Sequence, residues 1–413
     1  MLVTWEGKRS VFRIAQTMVK RRQFGAQVHD SEIHEAAVCG ATVVFGGCNH
    51  TRSQAGALQG RLDREQAYPY ELYAAWIEAG LFRMPFEEAY GGLGGDVIDM
   101  CIIAEELSRR SQDLFTAYGG CVFCGLNIQR KGSEAQKKYW LPRLLSGETR
   151  FSISISEPDA GSDLSQMRTS ARRDGDHYLI NGQKLWASGA GSKHNVINVY
   201  VKTDPKADIR KGMSLLLVDN DAPGVELRKL EMLGRRCVGT YEIFFKNVRV
   251  PADRLIGGEN QGWDCLMSGL QAERVTSAAG NVGGAQGVVD LALAYAKERK
   301  QFGHAIGSFQ AIAHMLADMQ TEVEAARALL YRAAWMVASG QDALREISMV
   351  KLFSSEMYVK LANQGVQIMG GYGYSMEFDM QRHFRDSRAA TIAAGSSQIQ
   401  RNLIAGLMGL KSS

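Results

Sequence analysis

Two stretches of this sequence carry side chains that could act on a small ligand. Glu157-Pro-Asp-Ala-Gly-Ser-Asp163 brings carboxylates and a hydroxyl together within a few residues. Taken alone, such a run indicates a turn that is stabilised by its Asp side chains. Leu270-Gln-Ala-Glu273-Arg274 places a carboxylate beside a guanidinium. A carboxylate can act as a base, but a glutamate on a helix pairs with a nearby Lys or Arg at least as often.

The cysteines predict buried side chains rather than a reactive or metal site. Seven cysteines are an odd number in a chain with enough apolar residues for a core, which argues against a disulfide framework. Cys121 and Cys124 form the sole C-x-x-C pair. No second pair or histidine cluster stands at zinc spacing, and no redox-type strand precedes the pair. We therefore expect reduced thiols that pack as small hydrophobes, and no metal.

The elements that must position these residues can be predicted from the spacing of apolar side chains. From about 68 to 147 the spacing is helical, with breaks at 91–95 and 119–120. From 150 to 250 short apolar runs alternate with Gly, Asp and Pro, which is typical of strands. These predicted strands are Phe151 to Ile155, Val196 to Val201, Leu215 to Val218 and Tyr241 to Val250.

Helical spacing returns beyond Gly262. Apolar residues step by three and four in one segment from Leu316 to Val337. They do so again in a second set, made of Ile347, Val350, Phe353, Met357 and Leu361. The two segments predict long antiparallel helices of a bundle.

Composition excludes several classes of protein. A chain of 413 residues, 45% of them apolar and 22% charged, is typical of a soluble globular protein and is long enough for more than one layer or domain. The net charge of +4 is not gathered into a basic arm, which gives little reason to expect nucleic-acid binding. No window approaches about 18 consecutive apolar residues, and the N-terminus lacks a cleavable signal pattern. We expect a cytoplasmic protein with no membrane span.

Residues 1–60 show no sustained apolar period and mix Cys, His, Gly and Arg. They predict no stable element. A genuine extension, a mispredicted start and a stretch translated out of frame are all compatible with their composition.

One long run resembles a known family. Residues 151–191, FSISISEPDAGSDLSQMRTSARRDGDHYLINGQKLWASGAG, resemble the acyl-CoA dehydrogenase signature of a strand, then T/S-E-P-x-A-G-S-D, then N-G-x-K-x-W-I-T/S. Three later runs follow in the family's order and spacing: ERKQFGHAIGSFQAIAHMLADM, VQIMGGYGYSMEF and GSSQIQRNLIAG. The resemblance covers about 61 to 410. It implies an α+β multidomain fold with an N-terminal helical domain over 61–148, a central β-barrel-like domain over 149–250 and a C-terminal four-helix bundle over 251–413, in a homotetramer built as a dimer of dimers.

The resemblance also implies FAD as the cofactor. A flavin ring needs hydrogen-bond donors along its polar edge and an apolar wall. By resemblance, Ser156 lies near the pyrimidine edge, Trp186 along the ring and Ser188 near N5. Gly161 and Ser162 would bring backbone and hydroxyl donors close to the diphosphate, because glycine lacks a Cβ. Ser162 is also expected at the substrate.

Residues of the C-terminal domain resemble those that reach the FAD of a neighbouring subunit. Arg299, Phe302 and Gln310 match R-K-Q-F-G and S-F-Q, where guanidinium and amide groups suit phosphate and adenine. A second set matches the Q-x-x-G-G turn over the adenosine half and its completion: Gln367, Gly370, Gly371, Ser396 and Gln398. A lone Arg on a helix is usually solvated or salt-bridged. If the tetramer forms, assembly and FAD retention should be coupled.

The catalytic base is where this chain departs from the commonest family pattern. Removing the α proton of a thioester needs a base held against Cα. Most members carry a glutamate just before G-T-S-Q-I-Q-R, whereas this chain reads TIAAGSSQIQR with Ala394 at that position. Alanine cannot accept a proton. Its backbone N–H would still donate to the thioester carbonyl, as the family's does.

Glu273 matches an alternative position for the base. Members resembling isovaleryl-CoA and long-chain acyl-CoA dehydrogenases carry the base on a bundle helix, as Glu followed by Arg in L-x-x-E-R. Glu273 is therefore the expected base, and Arg274 is expected near the CoA or acyl end of the substrate. Neighbouring side chains on a helix diverge by about 100°, so the two need not neutralise each other. A base here requires a pKa raised by a desolvated pocket.

The resemblance implies α,β-dehydrogenation of an acyl-CoA to the trans-2-enoyl-CoA in fatty acid metabolism. The absence of a nicotinamide fingerprint after a strand argues against NAD as a bound partner. The resemblance implies that electrons pass to electron transfer flavoprotein. The missing glutamate leaves other activities open: an enoyl-CoA reductase, an acyl-CoA desulfinase, or a non-catalytic acyl-CoA or FAD-binding protein. The small Ala393 and Ala394 weakly favour branched, cyclic or aromatic acyl groups, and the sequence fixes neither chain length nor direction.

Overall fold

A computed structural model describes residues 58–410. Along these residues the order is helical, then strand-rich, then helical, which confirms the organisation predicted from apolar spacing. The interpretation of residues 1–57 lies outside the described residues. Residues 58–65 are helical, so a helix occupies the end of the segment for which the sequence predicted no element.

The N-terminal helices are α1 (Tyr70–Glu78), α2 (Val97–Arg110), α3 (Gln112–Lys131) and α4 (Glu134–Leu145). Each of α2 and α4 begins with a capping box, formed by Asp96 with Asp99 and by Ser133 with Gln136. Helix α3 is largely buried and carries Cys121 and Cys124, which are buried free thiols as predicted.

The predicted break at Gly119–Gly120 was wrong, because α3 runs through both glycines. A Cβ at Gly119 would lie 3.2 Å from the ring of Phe115 and 3.3 Å from that of Phe123. Glycine is therefore used here for close packing of aromatic rings rather than to end the helix.

The central domain is a mainly antiparallel sheet. Its strands are β1 (Arg150–Ser154), β2 (Ser170–Asp174), β3 (His177–Ser188), β4 (Asn195–Lys202), β5 (Met213–Asp219), β6 (Val225–Leu230), β7 (Thr240–Pro251) and β8 (Leu255–Ile256). The order is β6-β7-β3-β2-β4-β5-β8, and β1 pairs in parallel with β4. A short helix, α5 (Ile209–Gly212), precedes β5. The four apolar runs predicted as strands lie in β1, β4, β5 and β7, except that Ile155 follows the last residue of β1.

Strand β4 joins the sheet to the helices because both of its faces are buried. Ile197 and Val199 pack in the core of the sheet itself. Val196 and Tyr200, which point to the opposite face, pack in the core that the sheet shares with the helices. Tyr200 is thereby directed toward the helical domains.

The C-terminal bundle is built on α6 (Gly262–Glu298), α7 (Gln310–Ala338) and α8 (Leu344–Met369). A small hairpin of β9 (Lys300–Gln301) and β10 (His304–Ala305) connects α6 to α7, and α9 (Gly371–Tyr374), α10 (Met380–Ala390) and α11 (Ser397–Leu407) complete the bundle. The two predicted bundle helices are α7 and α8. Helix α6 approaches α2 so closely that a Cβ at Gly283 would lie 1.9 Å from the carbonyl oxygen of Glu105.

Within residues 58–410, no helix is long and apolar enough to cross a membrane. The same residues hold no group of three His, Cys, Asp or Glu side chains placed to bind a metal ion.

Candidate active site

Glu273 lies on α6, which packs against α3. Burial raises the pKa of Cys124 on α3 and of Tyr200 on β4, and the nearby charge of Glu273 adds to both shifts. Asn127 Nδ2 donates to the Tyr200 hydroxyl oxygen over 3.3 Å and fixes that ring. The influence of its charge on both groups indicates that the Glu273 carboxylate lies near Cys124 and Tyr200.

The environment of Glu273 makes it a stronger base than an ordinary glutamate. Desolvation by burial raises its pKa to about 7, and the charge of the adjoining Arg274 opposes that shift. The direction agrees with the expectation from sequence. The side chain is only part-buried, so a ligand can reach it.

Ala394 lies in a turn between α10 and α11. Its φ is 55° and that of Gly395 is 89°, so two consecutive residues are left-handed. The left-handed region costs an alanine about 1 to 2 kcal/mol, which the surrounding structure must offset. Arg274 Nε donates to the Ala394 carbonyl oxygen over 3.4 Å. The structure thus brings the predicted base helix and the predicted amide donor together through Arg274.

Trp186 stands out among the residues predicted to bind a flavin. Its φ is 66°, and the register of β3 against β7 shifts between Lys184 and Ala187. The side chain is 56% exposed. A large aromatic side chain that is held in a costly backbone conformation and left uncovered indicates a ligand-binding wall.

Ser156 and Ser188 lie close to this wall. The Ser156 carbonyl accepts a hydrogen bond from Leu185 N over 2.9 Å, which ties the segment after β1 to the residue before Trp186. The Ser188 hydroxyl is 3.3 Å from that of Thr240. The structure therefore gathers Ser156, Trp186 and Ser188 at one end of the sheet.

A buried ion pair beneath this cluster escaped the sequence analysis. Lys184 Nζ lies 2.9 Å from Glu157 Oε1, and neither side chain is appreciably exposed. Lys184 also donates to the Ile155 carbonyl over 2.8 Å, and Glu157 accepts from the backbone N–H of Thr169 over 3.0 Å. The sequence signals were that Glu157 and Lys184 both stand at fixed positions of the quoted signature, and that Lys184 is a charged residue at an inward position of β3.

The loop that follows Glu157 combines a turn with open space. Asp163 accepts from Ser165 N over 2.9 Å, as expected for an Asp-stabilised turn. Gly161 and Ser162 are exposed, and a Cβ at Gly161 would meet nothing within 4 Å. A ligand can therefore approach the backbone here.

A second group of predicted residues lines a groove of about 600 Å³ in the bundle. Arg299, Phe302, Gly370 and Gly371 are all part of its lining. The Arg299 guanidinium lies 5.6 Å from the ring centroid of Tyr372, an aromatic neighbour that the motifs did not predict. The lining includes no residue of the sheet, so within one chain this groove is separate from Trp186.

The four remaining residues predicted to bind FAD lie outside the lining of the groove. Gln310 begins α7, and Gln367 is exposed near the end of α8, but neither lines the groove. Ser396 caps α11 by accepting from Ile399 N over 3.4 Å. Gln398 is exposed on the first turn of that helix. Ser396 and Gln398 therefore accompany the Ala394 turn rather than the groove.

Comparison with protein families matches most of the chain. The N-terminal, middle and C-terminal domain models of acyl-CoA dehydrogenase match residues 52–148, 152–248 and 260–408 respectively.

Comparison with individual proteins gives relatives of similar length. The probable acyl-CoA dehydrogenase YngJ of Bacillus subtilis is 38% identical over 346 residues, which cover 83% of this chain and 91% of the relative. The caffeyl-CoA reductase-Etf complex subunit CarC of Acetobacterium woodii is 36% identical over 344 residues, covering 83% and 90%. The solved structure of butyryl-CoA dehydrogenase from Megasphaera elsdenii superposes with a TM-score of 0.85 at 29% identity, covering 93% of this chain and all of that one.

Proposed function

The chain belongs to the acyl-CoA dehydrogenase family of flavoprotein oxidoreductases, and from that premise we propose that it converts an acyl-CoA thioester to the trans-2-enoyl-CoA with Glu273 as the base. The observation that carries this proposal is the state of Glu273. Burial raises its pKa to about 7, and it adjoins, through Arg274, a turn whose Ala394 side chain cannot take a proton.

The residues present fit FAD. Trp186 offers an uncovered aromatic wall, Ser156 and Ser188 supply polar groups beside it, and the loop at Gly161 leaves the backbone open for a diphosphate. When bound, FAD supplies a flavin that accepts the hydrogen of Cβ as hydride.

The protein's own groups account for removal of the α proton. The Ala394 N–H donates to the thioester carbonyl, which makes the α proton more acidic by stabilising the charge that develops on oxygen. Glu273 takes that proton. A base whose pKa is near 7 is substantially ionised at neutral pH and still basic enough to remove a proton efficiently.

The FAD site is proposed to be shared between subunits of a homotetramer. Phe302 is 93% exposed at the tip of the β9–β10 hairpin. The groove beside it holds Arg299 but no residue of the sheet. Both observations support a groove that binds the adenosine half of an FAD whose flavin lies against Trp186 of another subunit.

Electron transfer flavoprotein is the proposed electron acceptor, supported by the Etf complex named for the relative CarC. The same relative favours a second candidate function, reduction of an enoyl-CoA, since its name describes a caffeyl-CoA reductase. The two candidates use the same site in opposite directions. An acyl-CoA desulfinase and a non-catalytic binding protein have no specific observation in their favour.

Anaerobic titration of the FAD-loaded protein with a panel of thioesters tests the proposal. Loss of the flavin absorbance with a saturated acyl-CoA, with formation of the enoyl-CoA, is the expected result. Flavin that stays oxidised with every saturated thioester, in a protein that a chemical reductant does reduce and an enoyl-CoA then reoxidises, would instead identify a reductase. Retained FAD without either reaction would overturn both.

A further inference from the structure

Lys351 on α8 is buried, and no carboxylate within residues 58–410 forms an ion pair with it. The residue is 1% exposed, and burial of an ammonium group is costly unless its protons are satisfied. The carboxylate of Glu356, one of the charges that influence Lys351, is engaged by Arg401 at 2.6 and 2.8 Å. Lys351 instead donates to two backbone carbonyls, those of Ala390 at 3.0 Å and Gly395 at 2.6 Å.

These two carbonyls bracket the Ala394 turn. Ala390 ends α10, where the negative end of the helix dipole favours a cation. Gly395 is the second left-handed residue of the turn. Gln400 Nε2, from α11, also donates to the Gly395 carbonyl, over 3.1 Å. Side chains of α6, α8 and α11 therefore hold the carbonyls of residues 390, 394 and 395.

The peptide that matters for the chemistry lies between the held ones. Each peptide unit is planar, so the bond to the Ala394 carbonyl fixes the unit that directly follows Ala394. The bond to the Ala390 carbonyl anchors the chain four residues before Ala394. Together these contacts restrict the orientation of the unit that carries the Ala394 N–H. In the part of the chain that the structure describes, that N–H donates to no backbone carbonyl. Side chains hold the carbonyls of this turn, and the Ala394 N–H has no backbone acceptor. The turn is therefore suited to present that N–H to a ligand.

We propose that Lys351 is a positioning residue for the oxyanion site: by clamping the Ala390 and Gly395 carbonyls it aims the Ala394 N–H at the thioester carbonyl. The inference rests on the acyl-CoA site proposed above but not on Glu273 being the base. Lys351 need not touch the substrate. Burial, helped by the charges of Arg274 and Arg235, lowers its pKa to about 8, so it keeps its donors at neutral pH.

The test compares Lys351→Met, which keeps the length of the side chain and removes its donors, with Lys351→Gln, which keeps a neutral donor. Ser348→Ala is the matched control, because Ser348 is a buried residue of the same helix whose hydroxyl donates to the Leu344 carbonyl over 2.8 Å rather than to a carbonyl of the turn. The probe is 2-butenoyl-CoA labelled with ¹³C at its carbonyl, bound to the oxidised FAD-loaded enzyme. Its carbonyl stretching frequency reports the hydrogen bond directly.

In wild type and Ser348→Ala we expect the same lowering of that frequency on binding. In Lys351→Met the frequency should be lowered by at most half as much. The kcat of this variant should be about 10- to 100-fold below that of wild type, with KM changed less than about threefold. Such a pattern is expected when a contact made in the transition state is misaligned. The lowering of the frequency and the kcat of Lys351→Gln should lie between those of wild type and those of Lys351→Met. If Lys351→Met does not fold, Lys351→Gln and Gln400→Leu carry the test, and both should weaken the lowering.

If the carbonyl frequency of the bound probe is the same in the folded Lys351 variants as in wild type, the inference is overturned. Lys351 would then be a purely structural residue, whatever happens to kcat. Absence of any lowering in the wild type would contradict the oxyanion role of the Ala394 amide and overturn this inference, whereas dehydrogenation itself is tested separately by the thioester titration. Glu273→Gln should keep the full lowering, so failure of the base assignment would leave the inference standing.

Discussion

Replacing Glu273 by glutamine should make the protein more stable at alkaline pH, although the residue is proposed to be essential for catalysis. Glutamine has nearly the shape of a protonated glutamate and cannot ionise. Glu273 ionises within a partly desolvated site, and burial raises its pKa to about 7 from an ordinary value of 4.5. The folded state therefore holds a proton that the unfolded state releases.

The sign of the effect follows from this difference. Between pH 4.5 and 7 the folded state binds more protons than the unfolded state, so stability falls as pH rises through that window. Below it both states are protonated at Glu273, and wild type and variant should be alike. Above pH 7 the free energy of unfolding of the wild type is lowered by the full amount, about 3 kcal/mol for a pKa raised from 4.5 to about 7. For a chain of this size, that corresponds to about 4 °C in Tm.

Thermal unfolding of the FAD-loaded wild type and Glu273→Gln from pH 4.5 to 8.5, at one scan rate, measures the difference. Glu356→Gln is the opposing control. Arg401 hydrogen-bonds Glu356 and lowers the pKa of that carboxyl, so this variant should lose stability relative to wild type at neutral pH and approach it in acid. A Tm difference for Glu273→Gln that does not grow between pH 4.5 and 7, or that has the opposite sign, would refute the burial of an ionisable Glu273.

Three other predictions concern the site. The value of kcat/KM for a saturated acyl-CoA should rise with pH through about 7, because the free enzyme must have Glu273 ionised; a flat profile between pH 6 and 8 would argue against this carboxylate. Arg274→Gln should move that rise to higher pH, since the arginine charge lowers the pKa of Glu273, and an unmoved profile would contradict the coupling. Trp186→Gly should leave the Tm of the apoprotein unchanged or raised, because glycine tolerates a φ of 66°. In the same variant, FAD dissociation measured by fluorescence should become at least tenfold faster. Tight FAD binding in this variant would exclude Trp186 as the flavin wall.

Much of the fold could be predicted because it depends on local apolar patterns. The runs in β4 and β5 are apolar at almost every position, and their burial on both faces explains why. The break predicted at Gly119–Gly120 failed because a glycine that ends a helix and a glycine that admits a neighbouring ring look the same in sequence. Only the rings of Phe115 and Phe123 distinguish the two cases.

The site was predictable where motifs fix local geometry and unpredictable where burial reverses the usual behaviour of a residue. On α8, Phe353 belongs to the apolar pattern yet is 40% exposed, whereas Lys351 two residues earlier is 1% exposed. The reason is tertiary, because the turn after α10 offers carbonyls to Lys351. Lys184 is buried for a similar reason, since Glu157 and the Ile155 carbonyl compensate its charge. No periodicity in one sequence encodes such partners.

The assignment of Glu273 as the base is the central claim, and the rate at which the flavin loses its absorbance tests it most directly. Rapid anaerobic mixing of a saturated acyl-CoA with wild type, Glu273→Gln and the control Glu356→Gln would give the rate of α,β-dehydrogenation without an external acceptor. We predict a loss of at least about 1,000-fold in Glu273→Gln, since general-base catalysis contributes about 10² to 10⁴, with FAD content and thioester binding retained and Glu356→Gln within about threefold of wild type. Bleaching by Glu273→Gln at a rate close to that of wild type would show that another group removes the α proton.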